Sequence, residues 1–212
     1  MLWPAWAVGA TFPALAAPPD PNAQVWSETD FIGSLAKDTT LTGIAIARFG
    51  EDVANPTLTA LGLQVDHKIG KWTVAAGYRH QVVRHETTGP SISQLAIAMA
   101  TYSDTFGRST IAIRARADNT LHSSGNPWRF RIRVEYRWST PGAAPISYVF
   151  VNDEAFYQGS ASEWSRNRAQ AGMNLRFYRR YDLQVYYLWQ NDELSKPARI
   201  NALGLLLKVN LE

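Results

Sequence analysis

Residues 128–138 read WRFRIRVEYRW, with tryptophan, phenylalanine, isoleucine, valine, tyrosine and tryptophan on one parity. Arg129, Arg131, Arg133, Glu135 and Arg137 occupy the other. A period of two is that of a β-strand, so this stretch has one apolar face and one strongly charged face. Two architectures accept such a strand. In a soluble sandwich the charged face meets water and the apolar face meets a core. In an outer-membrane barrel the apolar face meets lipid and the arginines line the interior.

The same period runs through most of the chain. It predicts strands near 24–34, 41–49, 57–67, 72–83, 92–102, 109–118, 128–138, 146–157, 166–177, 182–190 and 200–211, with no sustained helical period. The connections alternate in length. HKIGK (67–71), SDTFGR (103–108), TPGAAP (140–145) and YRRY (178–181) are tight; GEDVANP (50–56), RHETTGPS (84–91), NTLHSSGNP (119–127), QGSASEWS (158–165) and NDELSKPAR (191–199) are longer and polar. Tight turns at one end and long loops at the other are the layout of an up-and-down barrel.

Parity sorts the side chains consistently. Arg168, Gln170, Gly172, Asn174 and Arg176 oppose Ala169, Ala171, Met173, Leu175 and Phe177; Asp182, Gln184 and Tyr186 oppose Leu183, Val185, Tyr187 and Trp189. Arg114 and Arg116 oppose Ile111, Ile113 and Ala115, while Thr73, Gly77, Arg79 and Gln81 oppose Trp72, Val74, Ala76 and Tyr78. Aromatics sit toward the ends of the apolar faces, where a bilayer interface selects them. A sandwich would have to turn all these arginine faces to water, because burying unpaired charge is costly. The barrel is therefore the expected fold. Single-chain bacterial barrels use even strand numbers. Eleven segments with mixed parity in VWSETDFIG make ten wall strands the expectation, with 24–34 outside the wall.

The chain has no cysteine and a formal charge of only +3, which removes disulfides, thiolate metal sites and an argument for nucleic acid from charge alone. Mean hydropathy is −0.22, and beyond the N-terminus no apolar run is long enough for a membrane helix. MLWPAWAVGATFPALAAPPDP carries no charge before Asp20 and has Ala14-Leu15-Ala16 ahead of a proline-rich exit. We read 1–16 as a signal peptide without a basic n-region, and 17–212 as one barrel domain.

Catalytic constellations are weak. A lipid-directed hydrolase would need a serine activated by histidine. The best assembly is His85 or His122 with Ser91, Ser123 or Ser124, all in loops. A rim protease would gather Asp52, Asp118 and His122. The four histidines, His67, His80, His85 and His122, show no metal spacing. We therefore assign no catalytic residue, metal or cofactor.

The stronger constellation is arginine. Arg114, Arg116, Arg129, Arg131, Arg133, Arg137, Arg168 and Arg176, with Glu135 and Glu154, are expected to line the lumen. Fixed positive charge in a pore favours anions, so Arg131→Glu would reverse or abolish its selectivity. Alternatively the arginines pair with carboxylates and fill a narrow interior as a polar plug. The plug is the preferred reading.

The stretches ARADNT…WRFRIRVEYRW, YVFVNDEAFY, WSRNRAQAGMNLRF, YDLQVYYLWQ and INALGLLLKV together resemble bacterial outer-membrane proteins grouped as domain of unknown function 2490. The resemblance is carried by Arg131, Arg133 and Glu135, by Asp153-Glu154, by Asn167-Arg168 with Gly172, and by Tyr186-Tyr187 with Gln190. It spans roughly 24–211 and is best over 108–209. It implies an all-β, antiparallel up-and-down transmembrane barrel of about 10–12 strands in the bacterial outer membrane, and no particular chemistry. The final strand ends Leu211-Glu212, departing from the terminal aromatic usual in such barrels. The implied partners are outer-membrane lipid, lipopolysaccharide and the barrel-assembly machinery, with no nucleic acid.

Overall fold

The structure is a computed structural model, and it describes residues 22–50, 55–85, 89–121, 127–194 and 198–211. The signal peptide expected over 1–16 lies outside the described residues. Eleven strands follow one another: β1 (Ala23–Ala36), β2 (Thr39–Phe49), β3 (Pro56–Ile69), β4 (Trp72–His85), β5 (Gly89–Phe106), β6 (Ser109–Leu121), β7 (Trp128–Ser139), β8 (Ile146–Gln158), β9 (Glu163–Phe177), β10 (Tyr181–Asp192) and β11 (Arg199–Asn210). Each pairs antiparallel with the next, and β1 pairs with β11 to close a single barrel. One closed sheet replaces the two packed sheets of the sandwich alternative.

The expectation of ten strands is corrected. β1 is a wall strand, and its ladder to β11 is parallel, running from Ala23 opposite Asn201 to Ile32 opposite Asn210. In an odd meander the first and last strands point the same way, so only a parallel ladder can close it. Closure satisfies both edges and leaves no open strand. The mixed parity of β1 has a plain cause. Trp26, Glu28, Asp30 and Ile32 face the interior, so two apolar side chains point in with two acids, while small Ser27 and Thr29 point out. Trp26 is buried because it stacks beneath Arg48, 3.8 Å from ring centroid to guanidinium carbon.

The two ends differ as the connections require. The β1–β2, β3–β4 and β5–β6 links contain Asp38, Gly70 and Gly107, each at φ near +60°, the left-handed conformation that short hairpins demand. The opposite end holds the connections at 50–55, 86–88, 122–127, 159–162 and 193–198. RHETTGPS is mostly strand: β4 runs to His85 and β5 starts at Gly89, so three residues remain between them. The N-terminal end of β1 therefore lies at the long-connection end, and the C-terminal end of β11 at the tight-turn end.

Polarity is inverted relative to a water-soluble domain. Among the described residues ten apolar side chains are buried, whereas thirty-two large apolar side chains are exposed. On β7 the outward face runs Trp128, Phe130, Ile132, Val134, Tyr136, Trp138: aromatic pairs at both ends with aliphatics between. Ten residue steps span about 34 Å along a strand. At a tilt of about 40° that is about 26 Å along the barrel axis. At the long-connection end the rings of Trp128, Phe130, Tyr157 and Trp164 touch in sequence, with centroids 6.1, 6.5 and 5.6 Å apart.

Candidate functional site

Period two, once the barrel closes, points alternate residues of all eleven strands at one axis. Two interior cavities result. One, of about 300 Å³, occupies the tight-turn half and is walled by residues of every strand, among them Arg114, Arg116, Arg131, Arg133, Glu135, Arg137, Glu154 and Arg168. The other, of about 210 Å³, lies toward the long-connection end and is lined by Arg48, Arg79, Arg129, Arg131, Arg166 and Arg168, with Gln81 and Phe156. Ile46, Arg48, Arg79, Arg131 and Arg168 belong to both walls and form the waist between them.

Nine of the ten expected lumen residues thus stand against a cavity. Arg176 does not: it is at the tight-turn rim, 61% exposed, and donates to Asp182 at 2.9 Å. It has the inward parity but lies too near the strand end to reach either cavity.

The arginines are held in three ion-pair clusters. Asp118, 1% exposed, receives Arg116 at 2.6 Å, Arg129 at 3.3 Å and Arg131. Glu154 receives Arg114 at 2.7 Å and Arg168 at 3.5 Å. Glu135 receives Arg137 at 2.5 Å and Arg133 at 3.5 Å, and also the Asn152 amide at 3.3 Å. Above them the Arg166 Nε donates to Asp192 at 2.6 Å. Bonds between charged partners inside a low-dielectric barrel are the strong kind. Aromatic faces hold the guanidinium groups from the side. Phe156 lies about 5 Å from Arg131, Arg166 and Arg168, and Trp26 lies between Arg48 and Arg168.

Charge remains in excess. The cavity walls carry eleven basic side chains, ten arginines and Lys208. Six carboxylates line the walls or pair with them: Glu28, Asp30, Asp118, Glu135, Glu154 and Asp192. Among the described residues, the cavity walls with their ion-pair partners thus carry five positive charges in surplus. Arg48, Arg79, Arg166, Lys208, Asp118 and Asp192 are not among the lumen residues expected from sequence, although the two-residue period gives Arg79 the inward parity. Arg48 is masked because its own face of β2, Thr42, Ile44, Ile46, Arg48, is as apolar as the opposite one.

The catalytic candidates do not assemble among the described residues. Asp118 sits inside the barrel on three arginines, away from any outer rim. His67 and His80 lie on the outward faces of β3 and β4, and His67 bonds Thr39 at 2.9 Å. Ser91 is exposed near the start of β5; Asp52, His122, Ser123 and Ser124 lie outside the described residues, and nothing is described of the His85 side chain. No three described His, Asp or Glu side chains converge as a metal site.

A family model described as "Protein of unknown function (DUF2490)" matches residues 23–201, from the first residue of β1 into β11. The chain belongs to this family. The match covers ten complete strands and the start of the eleventh, so the family's unit is the barrel itself, and β1, the strand that makes the count odd, is part of it. The residues that carried the resemblance in sequence have structural roles in this member. Asn167 bonds Asp153 at 3.0 Å, Arg168 bonds Gln190 at 2.7 Å, the Tyr186 ring covers Gly204, and a Cβ at Gly172 would meet the Val185 carbonyl and the backbone side of Tyr186 on β10. A search of curated proteins found no match.

Proposed function

We propose that this family member is a non-enzymatic barrel of the bacterial outer membrane, whose narrow, largely ion-paired interior passes or holds anions in preference to cations. The outward face carries the membrane part of this reading. A mostly apolar outward face, edged on β7 by aromatics about 26 Å apart, fits the roughly 25 Å band of outer-membrane barrels, and soluble monomers rarely expose apolar surface on this scale. The surplus of five positive charges carries the anion part.

The membrane part is tested on a detergent gel with fractionated cells. The protein should sediment with outer membrane and migrate differently before and after boiling, because a closed barrel stays compact in detergent until heated. A soluble periplasmic protein with no shift would end the reading.

The anion part is tested by reversal potential in planar bilayers under a salt gradient. The wild type should favour chloride over potassium. Arg48→Glu should shift selectivity toward potassium, since Arg48 stands in the waist and no ion pair to it forms among the described residues. It is a cleaner variant than Arg131→Glu, which would also break the Asp118 cluster. Selectivity unchanged by Arg48→Glu in a conducting barrel would remove the waist from the ion path. No conductance in either protein would leave the interior as a polar filling.

A further inference from the structure

The cavity toward the long connections differs from an ordinary ion-paired interior in its lining. Six arginines face about 210 Å³ of space, and among the described residues no carboxylate belongs to its wall. The acids that serve four of these arginines lie outside its wall, and two of the three are shared. Asp118 is divided among three arginines, Asp192 faces Arg166, and Glu154 is divided between Arg114 and Arg168. Arg48 and Arg79 have no ion-pair partner among the described residues, and the Nε of each is buried without a hydrogen bond. Glu28 and Asp30 line the cavity below the waist and make no ion pair with either.

Glu28 attracts both guanidinium groups and Asp30 attracts Arg79 from a distance, but a buried guanidinium without a contacting counter-charge is costly, and two on one cavity wall are costlier still. A dianionic or more highly charged oxyanion in the cavity would remove that cost. Guanidinium groups are suited to this, because their planar forks grip the oxygens of a phosphate two at a time. They are also pre-positioned: Trp26 braces Arg48 and Arg168, and Phe156 braces Arg131, Arg166 and Arg168. Side chains already fixed lose little entropy on binding. The space suits one compact anion with a few waters.

We propose that this chamber is a binding site for a phosphate or diphosphate group, gripped between Arg48 and Arg79 on one side and Arg129, Arg131, Arg166 and Arg168 on the other. The proposal rests on the reading of the interior as the functional part of the barrel. It requires neither conductance nor a particular membrane. The group can belong to a free phosphorylated solute or to a lipopolysaccharide headgroup entering from the long-connection mouth.

The test is thermal unfolding of the full-length, detergent-folded protein, its barrel state verified by heat-modifiable migration. It is titrated with sodium phosphate, sodium pyrophosphate, or sodium chloride at matched ionic strength, and separately with lipopolysaccharide in mixed micelles. Pyrophosphate should raise the midpoint saturably, above the chloride effect, with phosphate weaker. Arg48→Gln and Arg79→Gln, made separately, should each weaken pyrophosphate about tenfold or more, the loss of a charge-assisted contact. Without ligand the Arg79→Gln midpoint should equal or exceed that of the wild type, since it removes an unpaired buried cation, whereas Arg48→Gln also loses the stack on Trp26 and is compared by its pyrophosphate titration. A rim control, Arg176→Gln, should leave the titration unchanged. A saturable effect of lipopolysaccharide, abolished by the same variants, with none from pyrophosphate would assign the phosphate to a lipid. Shifts equal to those of chloride, or shifts that survive both variants, would overturn the site. That result would leave the outer-membrane reading to its own fractionation test.

Discussion

Asp118→Asn should destabilise the barrel by about 3–5 kcal/mol, the cost of removing one partner from a buried ion cluster. Asp118 is the shared acceptor for Arg116, Arg129 and Arg131, and asparagine keeps its shape while deleting its charge. Three guanidinium groups would then face one another across the β6–β7 ladder, where Arg116 and Arg131 are register partners, as are Asp118 and Arg129. The measurement is urea unfolding of the folded protein in detergent micelles or lipid vesicles. Asp182→Asn supplies the contrast, since its partner Arg176 is 61% exposed at the rim. An exposed pair contributes about 0–1 kcal/mol. Equal effects at the two positions would show that the Asp118 cluster is hydrated, and the plugged interior would lose its main support.

The second large effect is expected at Gly204. The Tyr186 ring on β10 lies flat across Gly204 on the neighbouring β11, and any Cβ there would overlap it. The backbone at Gly204 needs no left-handed angle, so the requirement is space alone. Gly204→Val must displace Tyr186 from its packing beside Trp26, Leu188 and Ala202, the one cluster of buried apolar residues that joins β1, β10 and β11. Overpacking of this kind costs about 1–3 kcal/mol. The loss should shrink when Tyr186→Leu is combined with Gly204→Val, because the smaller side chain vacates the site. Coupling of about 0.5–3 kcal/mol between contacting residues is the diagnostic quantity. Strictly additive losses would mean that the ring does not occupy this position. The position matters because the parallel β1–β11 ladder closes the barrel, and Trp26 and Tyr186 pack directly beneath it.

These two sites show what local pattern conveys and what it does not. The eleven strand segments and the inward parity of the arginine-ladder residues were readable, because each depends on neighbours a few positions away. The connection lengths were readable only in part, since the link at 140–145 is longer than those at 86–88 and 159–162. WRFRIRVEYRW needs only the two-residue repeat to separate its faces. Family membership was readable for the same reason, since its motifs are strand faces.

Closure was not readable. The parity of β1 was obscured by an inward tryptophan whose reason for burial is Arg48 on the next strand and Arg168 on the far side of the seam. The strand number, and with it the parallel ladder, followed from that one face. Ion partners were equally out of reach. Arg114 finds Glu154 forty residues away and Arg166 finds Asp192 twenty-six away, through strand stagger around a closed wall. Sequence alone determined that this chain makes strands with a charged face and an apolar face. The tertiary structure decided which acid each arginine pairs with, and that Arg48 and Arg79 form no ion pair among the described residues, because pairing across a barrel is set by closure and register and not by spacing along the chain.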